Sequence, residues 1–120
     1  MEFRGAFRVL KRGDISAPPR GLRPLLNRDA ALDVRRFPGP PQPPGPRLLV
    51  NAPRRAGSAV ERNRFRRRVR MAFLALLRDE GLGANPGQVV WVRPGLGGCG
   101  LAFEDLLSLL RRALSRPDTA

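Results

Sequence analysis

Histidine is missing from the chain, and lysine and cysteine occur once each, as Lys11 and Cys99. The missing histidine removes the commonest general base and the commonest metal ligand. A single cysteine excludes an intrachain disulfide and suits a reducing, cytoplasmic setting. No apolar run reaches the length of a membrane span, so no membrane partner is expected. The opening segment, Met1 to Gly13, lacks the apolar stretch of a secretory signal. Its Phe3, Phe7 and Leu10 are spaced as in an organellar transit peptide, but no Ser-rich continuation follows. Acidic residues are few: 10 Asp and Glu face 23 Lys and Arg, for a net charge of +13. The resulting pI, near 11.9, points to nucleic acid, or less often to an anionic membrane surface. Paired carboxylates at a useful spacing are also lacking, as is a thiol beside a base. The glycine-rich turn at 93–100 has no phosphate-loop spacing or lysine. No catalytic residue, metal site or protein-bound cofactor is therefore expected. Glu104 and Asp105 already have a reason to open a helix, because they suit its dipole.

What is present is arginine, and it is clustered. Between Gly57 and Leu77 stand Arg62, Arg64, Arg66, Arg67, Arg68 and Arg70, with Arg78 just beyond. Val60, Phe65, Val69, Ala72, Phe73, Leu76 and Leu77 are threaded between them at helical steps. Wound as a helix, the segment sets one apolar stripe on a core and surrounds the rest with guanidinium groups. Like charges four apart, Arg62–Arg66 and Arg66–Arg70, weaken an isolated helix. A solvated face would mix acid with base, and here only Glu61 and Asp79 flank the run. A polyanion is the better explanation. Arginine suits phosphate because its planar fork can bond two oxygens at once.

At 120 residues the chain is expected to be one domain spanning 1–120. Residues 1–12 read as an extended basic arm. Asp14 is placed to cap a turn of helix over Ile15–Ala17, which Pro18 and Pro19 end. Ala30–Phe37 alternates as a half-buried strand does. The Pro/Gly-rich stretch 38–46 reads as a stiff hairpin connection rather than a polyproline ligand. Arg47–Ala52 would then pair antiparallel with the preceding strand. Gly81 is suited to end the arginine helix. Val89–Val92 reads as a central strand, with Trp91 in the core rather than stacked on a base. The last helix, about Phe103 to Leu114, carries the stripe Phe103, Leu106, Leu107, Leu110 and Leu114, and 115–120 is a tail. The expected class is α+β, in the order α-β-β-β-α-β-α, with helices packed on one sheet. A parallel crossover through the arginine helix would by default be right-handed.

The run Gly57, Ala59-Val60, Arg62-Asn63-Arg64, followed by Arg66, Arg67 and Arg70, resembles the signature of the bacterial ribonuclease P protein component. Arg54-Arg55 stand where that family carries a basic pair. Leu10-Lys11-Arg12-Gly13-Asp14, Val89–Arg93 and Phe103–Leu106 fall where it has its opening, its last strand and its last helix. The resemblance implies one sheet with three helices and a left-handed β-α-β crossover, which replaces the default hand. It implies a monomer bound 1:1 to ribonuclease P RNA through Arg54, Arg55, Arg62, Asn63, Arg64, Arg66, Arg67 and Arg70. It further implies that the 5′ leader of precursor tRNA lies in a cleft between sheet and helix, with contacts from Lys11, Arg12 and Ile15. Chemistry would belong to the RNA and its magnesium ions. The sequence departs from the family at Ile15, where a Phe is usual, at Pro53 in place of a serine, and at Ala102, where a capping serine is lost at a cost of about 1 kcal/mol. Two alternatives are a non-catalytic basic RNA-binding module, ribosome-associated or a chaperone, and a basic DNA-binding protein. The second would need a recognition helix and often a two-fold partner, and no dimer seam is visible.

Overall fold

Two strands are apolar on both faces, and they take the two central places of the sheet. They are β3 (Arg47–Val50) and β4 (Gln88–Pro94). The computed structural model describes residues 7–11, 19–27, 29–39, 45–83 and 87–116. Within them, β1 (Arg8–Leu10) and β2 (Leu32–Pro38) form the edges of a four-stranded sheet in the order β1-β3-β4-β2. β3 runs parallel to β1 and to β4, and β2 runs antiparallel to β4. The 22-residue α1 (Ala59–Glu80) connects β3 to β4. The chain closes with α2 (Phe103–Leu114).

The expected α+β class is observed, with two corrections. β2 and β3 do point in opposite directions, but they are not partners, because β4 lies between them with Leu48 opposite Val90 and Arg36 opposite Val90 on its other side. The composition of β4 fits this: Val89, Val90 and Val92 are at most 2% exposed, and strands apolar on both faces favour central places with a partner on each edge. The Pro/Gly connection spans two strand spacings, roughly 10 Å, which its length allows. The second correction concerns order. Among the described residues the series begins with a strand, since Arg8–Leu10, part of the expected arm, pairs with Arg47–Leu49. The helical turn expected at Ile15–Ala17 lies outside the described residues.

The helices cover one face of the sheet. Leu32, Val34, Leu48, Val90 and Val92 meet Phe65, Val69, Ala72, Phe73 and Leu76 of α1 and Leu106, Leu110 and Leu114 of α2. Phe7 enters this core and meets the Phe73 ring edge-on, with centroids 4.8 Å apart, an arrangement that adds about 0.5–1.5 kcal/mol beyond burial. Val60, expected in the stripe of α1, is instead 66% exposed in the first turn of the helix. Ser58 opens α1 with a reciprocal cap: Glu61 N donates to Ser58 Oγ at 3.2 Å and Ser58 N to Glu61 Oε1 at 2.9 Å. Gly81 ends it in the left-handed region at φ 68°, as expected, and Leu82 N closes back on Leu76 O. α2 starts at Ala102 without a side-chain cap, and Glu104 and Asp105 lie in its first turn. The other sheet face is more open. There Leu10, Phe37, Leu49 and Val89 form a smaller cluster with Leu22 and Trp91.

Candidate nucleic-acid interface

Arg54 and Arg55 sit on a one-turn 3-10 helix directly after β3, closed by Ala56 N donating to Pro53 O at 2.9 Å. Both are exposed. α1 begins four residues later, and helical geometry sorts its arginines by direction. At about 100° per residue, Arg62, Arg66 and Arg70 line up along the flank nearest the sheet. Asn63 and Arg67 lie beside them on the outward face. Arg64, two residues from Arg62, is turned about 200° away, toward the flank that also carries Arg68. The pattern of exposure agrees. Arg62, Arg66 and Arg70 are half-buried along their stems, while Asn63, Arg64 and Arg67 are exposed. Arg64 and Arg67, three residues apart, are neighbours on the helix surface, so the α1 residues form one arc that runs from Arg62 across Arg67 to Arg64.

Their bonding divides them further. Arg68 Nη1 donates to Leu101 O at 2.6 Å and ties α1 to the lead-in of α2. Arg66 Nη1 donates to Asn63 Oδ1 at 3.0 Å and Nη2 to Ala52 O at 3.3 Å. The guanidinium groups of Arg54, Arg55, Arg62, Arg64, Arg67, Arg70 and Arg78 have no hydrogen bond or salt bridge to any described residue. The nearby carboxylate does not neutralise them. Glu61 is held below its usual range first by accepting the Ser58 backbone and side-chain bonds and only weakly by Arg64. Beneath the ridge, Cys99 is buried, and burial pushes its thiol up, with Glu61 adding to the rise and Arg62 and Arg66 opposing it. It is therefore an inert packing thiol.

A cleft of about 950 Å³ adjoins the basic pair, bounded by Arg55 and Pro53, the chain around Leu22, β2 and the turn after β4. Arg23, Arg35, Arg55 and Arg93 line it against Asp29 and Asp33. Asp33 organises its floor. Arg35 Nε and Nη2 grip its two oxygens at 3.0 and 3.2 Å, and Arg93 Nη2 donates to Oδ2 at 2.6 Å. Burial pushes this carboxyl up, but the bonds from Arg35 and Arg93, with their charges, outweigh burial and hold it below 3.8. The Arg93 guanidinium lies 4.3 Å from the Trp91 ring centre, and Phe37 meets that ring edge-on at 6.3 Å. Trp91 is thus half in the core and half a support for Arg93. The turn that closes the cleft lies tightly on the Ala30–Ala31 backbone, with Gly95 N donating to Ala31 O at 2.7 Å. A side chain at Gly95 or Gly98 would strike those carbonyls.

Of the residues expected to meet a leader strand, Lys11 is exposed at the end of β1, while Arg12 and Ile15 lie outside the described residues. Arg35 and Arg93 were not singled out as site residues from sequence, and Trp91 was read as core rather than as a stacking ring. The available signal was alternation: Asp33 with Arg35, and Trp91 with Arg93, share the open face of adjacent paired strands. Among the described residues, no group of three or more His, Cys, Asp or Glu could hold a metal ion. No helix there is long and apolar enough to cross a membrane.

Fold and surface together define a small α+β domain whose longest helix presents unneutralised arginines beside an arginine-lined cleft. The family model described as Ribonuclease P matches residues 6–118, and the chain belongs to that family as a protein component. Membership carries a role in tRNA processing and partnership with ribonuclease P RNA. Comparison with curated proteins and with solved structures returned no match.

Proposed function

We propose that this chain is the non-catalytic subunit of the ribonuclease P holoenzyme, one copy per RNA. It grips folded RNA through Arg54, Arg55, Arg62, Asn63, Arg64, Arg66, Arg67 and Arg70. Hydrolysis of the precursor tRNA belongs to the RNA and its magnesium ions. The observation that carries this reading is the bonding of α1: of the side chains of its arginines and the preceding pair, seven have no anionic or carbonyl partner among the described residues. A protein holding that many like charges side by side is stabilised by a polyanion that releases counterions on binding. The cleft supports the second half of the reading, contact with the 5′ leader. Its excess of arginine, with Arg93 backed by the Trp91 ring, suits a single strand held by phosphate contacts. By lowering anionic repulsion between RNA and substrate, the protein reduces the magnesium that cleavage requires.

The test is cleavage of precursor tRNA by a ribonuclease P RNA at low magnesium, with and without the purified protein. The expected result is cleavage only with both components present. Cleavage by the nucleic-acid-free protein alone, or no stimulation by it, would refute the proposal.

A further inference from the structure

We infer that Arg66 is a positioning residue for Asn63: anchored on the Ala52 carbonyl, it holds the Asn63 side-chain oxygen and turns the amide donors outward toward an acceptor on the RNA. The inference rests on the RNA-binding reading of α1 and gives two of its residues different jobs.

Arg66 differs from its neighbours on the ridge. Arg62 and Arg70, one turn to either side, have no partner among the described residues, whereas both terminal nitrogens of Arg66 are engaged. One anchor, Ala52, is buried just past the end of β3, so the guanidinium is fixed to the sheet and not only to its own helix. This carbonyl also offsets the repulsion Arg66 meets between two like charges four residues away. Arginine has donors only, so the Asn63 atom that faces it must be the oxygen. The Asn63 NH₂ group therefore points away, on an exposed face where no described residue takes its hydrogens. An unheld asparagine could offer either end of its amide. A held one offers only donors, and the RNA groups that match are phosphate oxygens, the ribose 2′-oxygen and base acceptor atoms.

Charge and geometry are separable at this position. Lysine keeps the charge of Arg66 but has no planar fork, so it cannot hold two oxygens in the same relation. A direct phosphate contact would survive Arg66→Lys in large part, while a positioning role would not. The experiment titrates the full-length protein against ribonuclease P RNA over a series of salt concentrations. It compares the wild type with Asn63→Ala, Arg66→Lys and the double variant. Each single substitution is expected to weaken binding about fivefold. Arg66→Lys is expected to keep the wild-type salt slope, and the double variant to bind no worse than Asn63→Ala. Wild-type affinity in Arg66→Lys, or losses that multiply in the double variant, would overturn the inference. Should Arg66→Lys fail to fold, the Asn63 side-chain amide signal in ¹⁵N-labelled wild-type protein provides the same decision. It is expected to shift on RNA addition, and an unmoved signal overturns the role. If the wild type shows no salt-dependent RNA binding, the underlying reading falls instead. If Arg62→Ala/Arg64→Ala lowers the slope while Arg66→Lys behaves as wild type, only the role given to Arg66 falls.

Discussion

Replacing Arg67 by alanine, and separately its neighbour Arg68, should produce opposite phenotypes. Arg68 spends a terminal nitrogen on Leu101 O at 2.6 Å in a partly buried site, while Arg67 is exposed and unpartnered among the described residues. A hydrogen bond from a charged donor contributes about 1.5–3 kcal/mol. Partial exposure places Arg68 near the lower end, so Arg68→Ala should cost about 1.5 kcal/mol, or roughly 5–8 °C in Tm for a chain of this size. Arg67→Ala should change stability by less than about 0.5 kcal/mol. RNA binding should reverse the ranking. Arg67→Ala should flatten the slope of log affinity against log salt by roughly 0.7–0.9, and Arg68→Ala should leave it near wild type. Thermal melts followed by circular dichroism, with filter-binding titrations from low to moderate salt, read both quantities. If the two variants melt alike and bind alike, the division of the helix into structural and binding arginines is wrong.

The cleft floor should respond to acid. Because the folded Asp33 carboxyl titrates below 3.8, its stabilisation is complete above that value and is lost as pH falls through the lowered one. Asp33→Asn should therefore melt below wild type at neutral pH and converge with it in strong acid; a constant gap across the pH series would contradict the Arg35–Asp33–Arg93 network. Phe7→Ala removes a ring that is 6% exposed and packed on Phe73. It should cost about 3–5 kcal/mol, and a loss under about 1 kcal/mol in urea unfolding would show that β1 is not part of the core.

Elements whose pattern is local were legible in the sequence, and those whose partners are distant were not. The stripe of α1 from Phe65 to Leu76, its Gly81 stop, the apolar centre of β4 and the stripe of α2 follow from spacing alone. Val60 did not, because helical spacing alone does not say whether the first turn has anything to pack against. The pairing of β2 with β4 rather than β3 depends on which strand competes best for the central position, and a hairpin reading of 38–46 cannot weigh a strand fifty residues away. β1 is too short to show a period, yet its register with β3 places Phe7 in the core. At the interface, arginine density was plain. Which arginines are tied off was not, since Arg66 and Arg68 bond to carbonyls 14 and 33 residues away. The cleft draws on three separate segments of chain and has no linear signature.

The most direct measurement is the salt dependence of binding between this protein and ribonuclease P RNA, for wild type and for Arg62→Ala/Arg64→Ala. The expected result is tight wild-type binding that weakens steeply with salt, and a variant that is folded, weaker, and shallower in slope by roughly 1.4–1.8 for two lost contacts. Equal slopes for the two proteins, or no wild-type affinity for the RNA, would contradict the account.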